Sequence, residues 1–241
     1  MTDLAVSVKV TGEYACFTRP EMKVERVSYE VPTPSAARGI LDAILWRPEM
    51  RWHIRSISVL RPIRFQKLKR NEIQSKIPLK DKKHGYGLLS WMNDPTTYSP
   101  QPAGAGSTDV TQRNTVALRD VAYVITAEPV VFDSSGDNTP QKYVCMFNRR
   151  LGKGQCHSQP YLGCREFAGY FEPPTAEDTP ITDSRPLGLM LYDIIFDPSS
   201  ARNVPVFFRA EMREGVIYTD AQKVIEDANL RKEVLKCSCK R

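Results

Sequence analysis

At 241 residues the chain is long enough to bury a sizeable core, as one large domain or two smaller ones. With 41% hydrophobic and 26% charged residues it has the composition of a soluble globular protein, and it contains no apolar run long enough to span a membrane. A formal net charge of +6 excludes little by itself, but the N-terminus lacks the basic and apolar regions of a secretory signal, so we expect a cytoplasmic protein.

A strand and a helix are the first predicted elements. Apolar and polar residues alternate over 4–10, which is the period of a half-buried strand. Thr33 then suits a helix cap and Pro34 suits the first helical position. Apolar pairs recur at helical spacing over 36–45 until Pro48, which predicts a helix of about three turns.

A basic strand comes next. Alternation returns over 51–65 with a phase change of one residue after Ile54, which predicts a β-bulge. Twelve Lys and Arg residues lie between Arg47 and Lys83 against three acids, a local net charge of 12 − 3 = +9 in a chain of net +6. Such a segment is typical of a protein that binds a phosphate backbone, although a solvated strand-and-loop surface has the same composition.

A long insertion precedes the second half of the pattern. Residues 78–112 hold four prolines and four glycines, which predicts a long loop or flexible hairpin. A strand follows over 121–127, and Thr139-Pro140 opens a helix in which Tyr143, Phe147 and Leu151 share one face. A last strand is predicted over 166–172.

The order β-α-β-β-α-β predicts an α+β protein with a ferredoxin-like (RRM-like) domain over 1–172, interrupted by the 78–112 insertion. A Pro-rich and Asp-rich linker over 173–186 then leads to strand-like stretches at 187–196, 204–212 and 215–218, and to a charged helix at 220–236. We therefore predict a second, small antiparallel β subdomain over 173–241.

The six cysteines lack the paired spacing of a structural zinc site, and we expect thiols in a reducing compartment. Two metal-binding alternatives are Cys156-His157 with Cys164, and Cys237 with Cys239. We predict no metal and no cofactor.

Several runs of sequence are long and distinctive: GEYACFTRPE (12–21), KVERVSY (23–29), PSAARGIL (34–41), RNEIQSK (70–76), LRDVAY (118–123) and QPYLGCREF (159–167). On these runs the chain resembles the CRISPR-associated Cas-five family, subtype I-C, of the RAMP superfamily. The resemblance covers most of 5–172 and, more loosely, 187–219.

The resemblance implies a ferredoxin-like fold and an RNA-binding role. It implies a subunit that holds the repeat-derived 5′ handle of CRISPR RNA, joins the backbone (Cas-seven) and large (Cas-eight) subunits of a surveillance complex, and meets target DNA only through that complex. In this subtype it also implies metal-independent endonucleolytic cleavage of precursor CRISPR RNA.

The catalytic positions of the family match only in part. The family has a Tyr before the Trp that ends the first helix and a consecutive Lys-His at the start of the second, whereas this chain has Leu45 before Trp46 and then Lys142 followed by Tyr143. Attack by a ribose 2′-oxygen needs a base, an acid and positive charge near the phosphate. Lys142 suits the charge, although it is equally a solvated cation.

Tyr143 and His157 are the other two catalytic candidates. Tyr143 suits a proton donor or, with a depressed pKa, a base, and its spacing also suits a core residue. His157 suits an acid or base because histidine side chains ordinarily change charge near neutral pH.

Cations in or beside the matched runs are the predicted RNA contacts: Arg19, Lys23, Arg26, Arg38, Arg70, Lys76, Arg149, Arg150, Lys153 and Arg165. For some of these cations the alternative is an exposed charge or an intramolecular ion pair. Two alternatives to a processing endoribonuclease stand beside it: a subunit that caps the 5′ handle without cutting, and an unrelated basic RNA-binding domain.

Overall fold

A computed structural model describes residues 4–22, 24–73, 88–97, 110–196 and 203–235. The protein is a mixed α/β molecule in which antiparallel strands predominate. The strands are β1 (Val6–Ala15), β2 (Arg26–Val27), β3 (Met50–Val59), β4 (Phe65–Ile73), β5 (Val110–Val131), β6 (Tyr170–Glu172), β7 (Arg185–Phe196), β8 (Asn203–Arg213) and β9 (Val216–Tyr218). The helices are α1 (Pro34–Ile44), α2 (Leu88–Asn93), α3 (Pro140–Gly152), α4 (Ala221–Val224) and α5 (Ala228–Leu235).

All nine described strands belong to one sheet in the order β6-β1-β5-β3-β9-β8-β7, with β2 and β4 also paired to β5. β1, β3, β6 and β5 form antiparallel pairs, with Val8 of β1 opposite Ile125 of β5 and Ile57 of β3 opposite the same residue. The alternating apolar residues predicted for the first strand are buried.

Helices α1 and α3 begin as predicted from their Thr-Pro sequences. The hydroxyl of Thr33 accepts the N–H of Ala36 at 3.2 Å, and the hydroxyl of Thr139 accepts the N–H of Lys142 at 3.3 Å. Phe147 of α3 packs edge-on against Trp52 of β3, with ring centroids 4.9 Å apart. The ring contact holds α3 against the sheet.

The predicted bulge in β3 is confirmed by a register shift between Ile54 and Ser56. The strand ends earlier than predicted, at Val59, and a separate strand, β4, starts at Phe65. Pro62 accounts for the break, because it has no N–H to give to a neighbouring strand.

β5 is 22 residues long and therefore exceeds the predicted 121–127 at both ends. The described residues within 67–115, a range that includes the predicted insertion, form a compact unit of their own. The described part of the insertion contains α2 and a 3₁₀ turn at Pro95–Thr97. Residues 74–87 and 98–109 lie outside the described residues.

The C-terminal strands form the predicted antiparallel meander, since β7 pairs with β8 and β8 pairs with β9. β9 also hydrogen-bonds β3, so this meander continues the main sheet. The division of the chain near residue 172 stays a prediction. The predicted helix at 220–236 is interrupted because the carboxylate of Asp227 accepts the N–H groups of Asn229 and Leu230 at 2.7 and 3.0 Å and starts α5 anew.

The last predicted strand of the first half is shorter than expected, at Tyr170–Glu172. Residues 162–167 instead close a tight turn, in which the N–H of Phe167 donates to the carbonyl of Cys164 at 3.0 Å. Among the described helices, none has the length and apolar character needed to cross a membrane.

Candidate functional site

The C-terminal end of α1 is held by hydrogen bonds from three other parts of the chain. A helix leaves its last carbonyls without intrahelical partners, and here the carbonyls of four residues at this end, Leu41, Ala43, Ile44 and Leu45, each have a donor. The donors are the N–H of Leu45 to Leu41 at 2.8 Å, the N–H groups of His157 and Ser158 to Ala43 at 2.7 and 3.0 Å, Arg150 Nη1 to Ile44 at 2.8 Å, and Trp52 Nε1 to Leu45 at 2.9 Å.

The end of α1 is also the position where the family has a Tyr. Leu45 is fully buried and carries no titratable group, whereas Trp46 is half exposed and Arg47 is exposed. The end of α1 therefore offers an indole and a guanidinium to solvent instead of a phenol.

The N-terminal end of α3 brings Lys142 and Tyr143 together through Asn138. The side-chain oxygen of Asn138 accepts the Tyr143 hydroxyl at 2.8 Å and Lys142 Nζ at 3.3 Å. Lys142 is exposed and makes no ion pair with a described residue, and the first turn of α3 carries no acid. Its ammonium group is thus available to an external anion.

Tyr143 is buried, and its electrostatics oppose a role as base. Burial and then the charge of Glu49 raise the pKa of its phenol above the ordinary value, against a smaller opposite effect of Arg47. The hydroxyl therefore stays protonated at neutral pH. This direction does not favour the alternative of a base with a depressed pKa, and the donor and core alternatives stay predictions.

His157 lies beside the end of α1, since its main chain is bonded to Ala43, and its side chain is exposed. Lys142 lies near the opposite end of α3. A helical rise of roughly 1.5 Å per residue separates Lys142 from Arg150 by about 12 Å along the helix axis. Among the described residues, no hydrogen bond joins the imidazole of His157 to Lys142 or to Tyr143.

Three predicted RNA contacts are cations exposed to solvent. Arg149, Lys153 and Arg165 are exposed and make no ion pair with any residue that the structure describes, while Arg150 is partly used in holding Ile44. The segment 142–165 contains no Asp or Glu, so nothing within it neutralises these charges.

Arg19 and Arg26 each contact other side chains of the protein. The guanidinium of Arg19 stands 4.6 Å from the centre of the Tyr29 ring, and its Nη1 lies 3.8 Å from Glu21. Arg26 Nη1 donates to Glu166 at 3.0 Å and contacts the sulfur of Cys164 at 3.7 Å. The side chains of Arg19 and Arg26 are 30% and 32% exposed, so both arginines keep part of their surface in solvent.

Arg38 does not belong with these exposed cations, and the prediction of an RNA contact there is corrected. Its guanidinium donates to both oxygens of the buried Asp193, with Nη2 2.9 Å from Oδ1, and Arg51 donates to the same carboxylate. Through these hydrogen bonds the carboxylate of Asp193 ties α1 and β3 to β7. Arg38 is a structural residue.

Other members of the basic segment are also neutralised internally. Arg55 is bonded to Glu128 and Asp220, both at 2.6 Å, and Arg61 is bonded to Asp120. Arg70 lies in β4 within the 67–115 unit. The predicted contacts Lys23 and Lys76 lie outside the described residues.

The metal-binding alternatives have no support in the described part of the chain, where no three His, Cys, Asp or Glu residues cluster. Cys156 is exposed, and Cys164 instead directs its thiol to the carbonyl of Cys16 at 3.6 Å. Cys237 and Cys239 lie outside the described residues.

Sequence reasoning missed Asn138 and Trp46. Asn138 directly precedes Thr139-Pro140, which accounts for the helix start without it. An Asn at that place nevertheless often hydrogen-bonds the first turn of a helix. Trp46 was used only to mark the family position, and its exposure follows from the hydrogen-bonded end of α1.

Comparison with known proteins agrees with the resemblance. The family model described as CRISPR-associated protein (Cas_Cas5) matches residues 5–220. A protein of Mannheimia succiniciproducens named CRISPR pre-crRNA endoribonuclease Cas5d is 45% identical in an alignment of length 220 that covers 88% of this chain and 93% of that protein. A protein of Thermus thermophilus with the same name is 40% identical in an alignment of length 237 that covers 92% of this chain and 93% of that protein.

Solved structures agree at the level of the fold. The crystal structure of a CRISPR-associated protein matches with a TM-score of 0.63 and 23% identity, and a functionally uncharacterized Streptococcus mutans protein, SMU1763c, matches with 0.62 and 19%. Both alignments cover 92% of this chain and 95% of the other. The chain belongs to the Cas5d family of CRISPR-associated proteins.

Proposed function

We propose that this chain binds the repeat-derived 5′ handle of CRISPR RNA as a subunit of a subtype I-C surveillance complex and cleaves precursor CRISPR RNA within the repeat. The observation that carries the proposal is the similarity, at 45% and 40% identity over nearly the full length, to two proteins named pre-crRNA endoribonuclease. The cationic residues at both ends of α3 fit a substrate made of phosphates.

The cleavage that fits these residues uses the RNA as its own nucleophile. A ribose 2′-oxygen attacks the adjacent phosphorus, the bond to the 5′-oxygen breaks, and a 2′,3′-cyclic phosphate remains upstream. The developing negative charge needs a cation, and Lys142 is exposed, unpaired with acids and held by Asn138. We assign it to charge stabilisation.

Tyr143 acts through Asn138 in this proposal. Its buried hydroxyl donates to the same oxygen that receives Lys142 Nζ, so it fixes where the ammonium group stands. It is a positioning residue. His157, with an exposed imidazole beside α1, is the candidate for moving a proton at the 2′-oxygen or the leaving oxygen.

The wider architecture fits the same role. We propose that β6, β1, β5 and β3 with α1 and α3 form a ferredoxin-like unit, which their sheet order and the β1-α1-β3 and β5-α3-β6 connections support. We further propose Cas-seven and Cas-eight subunits as partners and the cytoplasm as the location.

One observation favours a second function, in which the chain caps the handle without cutting. The family's phenol position is occupied by Leu45, which is buried and cannot transfer a proton. Binding by the exposed cations would be unaffected by this loss.

A single-turnover assay on the cognate repeat RNA separates the two functions. Protein is added at concentrations where a binding curve shows saturation, and the RNA is followed to long times. Cleavage at one bond in the repeat supports processing, and saturated binding with intact RNA selects capping. Failure to bind the cognate repeat more tightly than an unrelated hairpin contradicts both.

A further inference from the structure

Trp46 is an aromatic side chain that packing leaves half in water. Its exposed fraction is 50%, whereas Trp52, six residues later, is 2% exposed. Large aromatic side chains normally stabilise a protein through the area that they bury. The core at this end of α1 is filled by Leu45 and Trp52, so the indole of Trp46 is not needed there.

The backbone that carries this indole is fixed. The carbonyls of Ala43, Ile44 and Leu45 each receive a donor from α3, from β3 or from the 157–158 loop, at 2.7 to 3.0 Å. An exposed group on such a base loses little freedom when a ligand packs against it. The main chain that carries Trp46 is therefore fixed before a partner binds, and only the side-chain torsions of the indole remain to be ordered.

The surroundings of Trp46 favour a nucleic acid over a protein as that partner. Arg47 follows it directly and is exposed. Glu49 and then Arg47 act electrostatically on the hydroxyl of Tyr143 in the first turn of α3. Lys142 stands one residue from Tyr143. Glu49 and Asp42 are the acids nearest in sequence, and Arg47 makes no ion pair with any described residue. An unpaired cation beside a free indole matches a nucleotide, which has a phosphate and a stacking face.

We propose that Trp46 is a stacking platform for one unpaired base of the bound RNA, and that Arg47 holds the phosphate next to that base. This inference rests on the proposed RNA-binding function and adds a base position to it. Trp46 is a binding residue that would set where the chain lies relative to the cut bond.

The test combines protein variants with an abasic scan of the cognate repeat. Each unpaired nucleotide is replaced in turn by an abasic one, and affinities are measured for wild type, Trp46→Ala and Trp46→Phe. At one position the abasic change should weaken wild-type binding roughly fivefold to a hundredfold. It should have little further effect on Trp46→Ala, and Trp46→Phe should keep most of the affinity because its ring still stacks.

Tyr218→Ala is the matched control. Tyr218 is 60% exposed, and its neighbour Ile217 faces the buried side of the sheet, so Tyr218 points to the face away from α3. This variant should keep the wild-type abasic profile. Thermal unfolding of each variant checks that Trp46→Ala remains folded.

The outcomes separate this inference from the proposed function. Wild-type affinity and an unchanged abasic profile in Trp46→Ala would overturn stacking and leave RNA binding intact. A loss that is equal at every abasic position would also overturn it, because it would place Trp46 in the fold or in a protein contact. Absence of RNA binding by wild type would overturn the proposed function itself.

Discussion

Lys142 is the residue at which charge stabilisation and RNA binding can be separated. Lys142→Ala should lower the single-turnover cleavage rate by about a hundredfold, because it removes a cation from the phosphate in the transition state. Affinity should fall only a few-fold, since it is shared among many cations. Rates at saturating protein and binding curves measure the two effects.

Lys153→Ala is the control for that experiment. Lys153 is an exposed cation at the other end of α3 and has the same charge. It should lose affinity by a similar factor and still cleave at nearly the wild-type rate once bound. Equal losses of rate in both variants would make Lys142 an ordinary binding residue.

A second prediction for individual residues concerns Asp193 and the free energy of unfolding. Asp193→Ala leaves Arg38 and Arg51 without their carboxylate in a site where Asp193 is only 5% exposed, and should cost about 3 kcal/mol of the free energy of unfolding. Asp120→Asn removes the charge of the surface partner of Arg61, a side chain that is 56% exposed, and should cost less than about 1 kcal/mol. Asn is used because residue 120 has φ +54°, where an Ala would add backbone strain. Urea unfolding at pH 7 measures both.

The Asp193 contribution should also depend on pH in a defined direction. Burial raises the pKa of this carboxyl, but the hydrogen bond and charge of Arg38 outweigh burial and hold the pKa below its ordinary value. The stabilisation is therefore complete above the unfolded pKa of about 3.9 and is lost as pH falls below it. A difference between wild type and Asp193→Ala that stays constant from pH 7 down to pH 2.5 would contradict this.

Individual residues were predictable from sequence where their cause is local. The Thr139 cap and the exposure of Lys142 follow from the order Thr-Pro-Gln-Lys. The role of Arg38 was not predictable, because its partner Asp193 lies 155 residues away and only the fold brings them together.

At the scale of elements, the 162–167 turn depends on Gly163. This glycine has φ +84°, and a Cβ there would lie 2.1 Å from the carbonyl oxygen of Cys16 at the end of β1. Gly163→Ala should therefore lower the free energy of unfolding by roughly 3 kcal/mol, from strain and from overlap with main chain. Displacement of the turn would also move Arg165.

Gly154→Ala gives the matched comparison in the same loop. Gly154 has φ +62° but open space where a Cβ would stand, so only the backbone strain of about 1 kcal/mol applies. Chemical denaturation of both variants measures the difference. Equal destabilisation would show that the contact with Cys16 contributes nothing.

Elements were predicted well where periodicity is continuous and less well where a side chain interrupts it. The bulge in β3 and the starts of α1 and α3 are confirmed. The break before β4 depends on one proline, and the gap between α4 and α5 on the capping carboxylate of Asp227. The sequence pattern continues through both.

At the scale of the whole molecule, RNA binding should depend strongly on salt. Raising salt from about 50 to 200 mM should lower affinity by orders of magnitude if six or more phosphates are contacted. Combining Arg149→Ala with Lys153→Ala should reduce the logarithmic salt slope by about two, because both cations are unpaired in the described structure. Arg61→Ala should leave the slope unchanged, because the guanidinium of Arg61 is already paired with Asp120.

A flat salt response would contradict a phosphate-based grip. Charge counting along the chain pointed to the segment 47–83 for this grip, yet Arg51, Arg55 and Arg61 are paired with acids distant in sequence. The net charge of a segment could be predicted, and its neutralisation by distant acids could not.

The most direct test of the central claim, cleavage by an RNA-derived nucleophile, uses one atom of the substrate. A cognate repeat in which the ribose 5′ of the scissile phosphate is 2′-deoxyribose keeps every phosphate and lacks the proposed nucleophile. In excess EDTA the natural repeat should be cut to leave a 2′,3′-cyclic phosphate, while the deoxy repeat should bind nearly as tightly and remain whole. Cleavage of the deoxy repeat at the same bond, or loss of cleavage of the natural repeat in EDTA, would contradict the account.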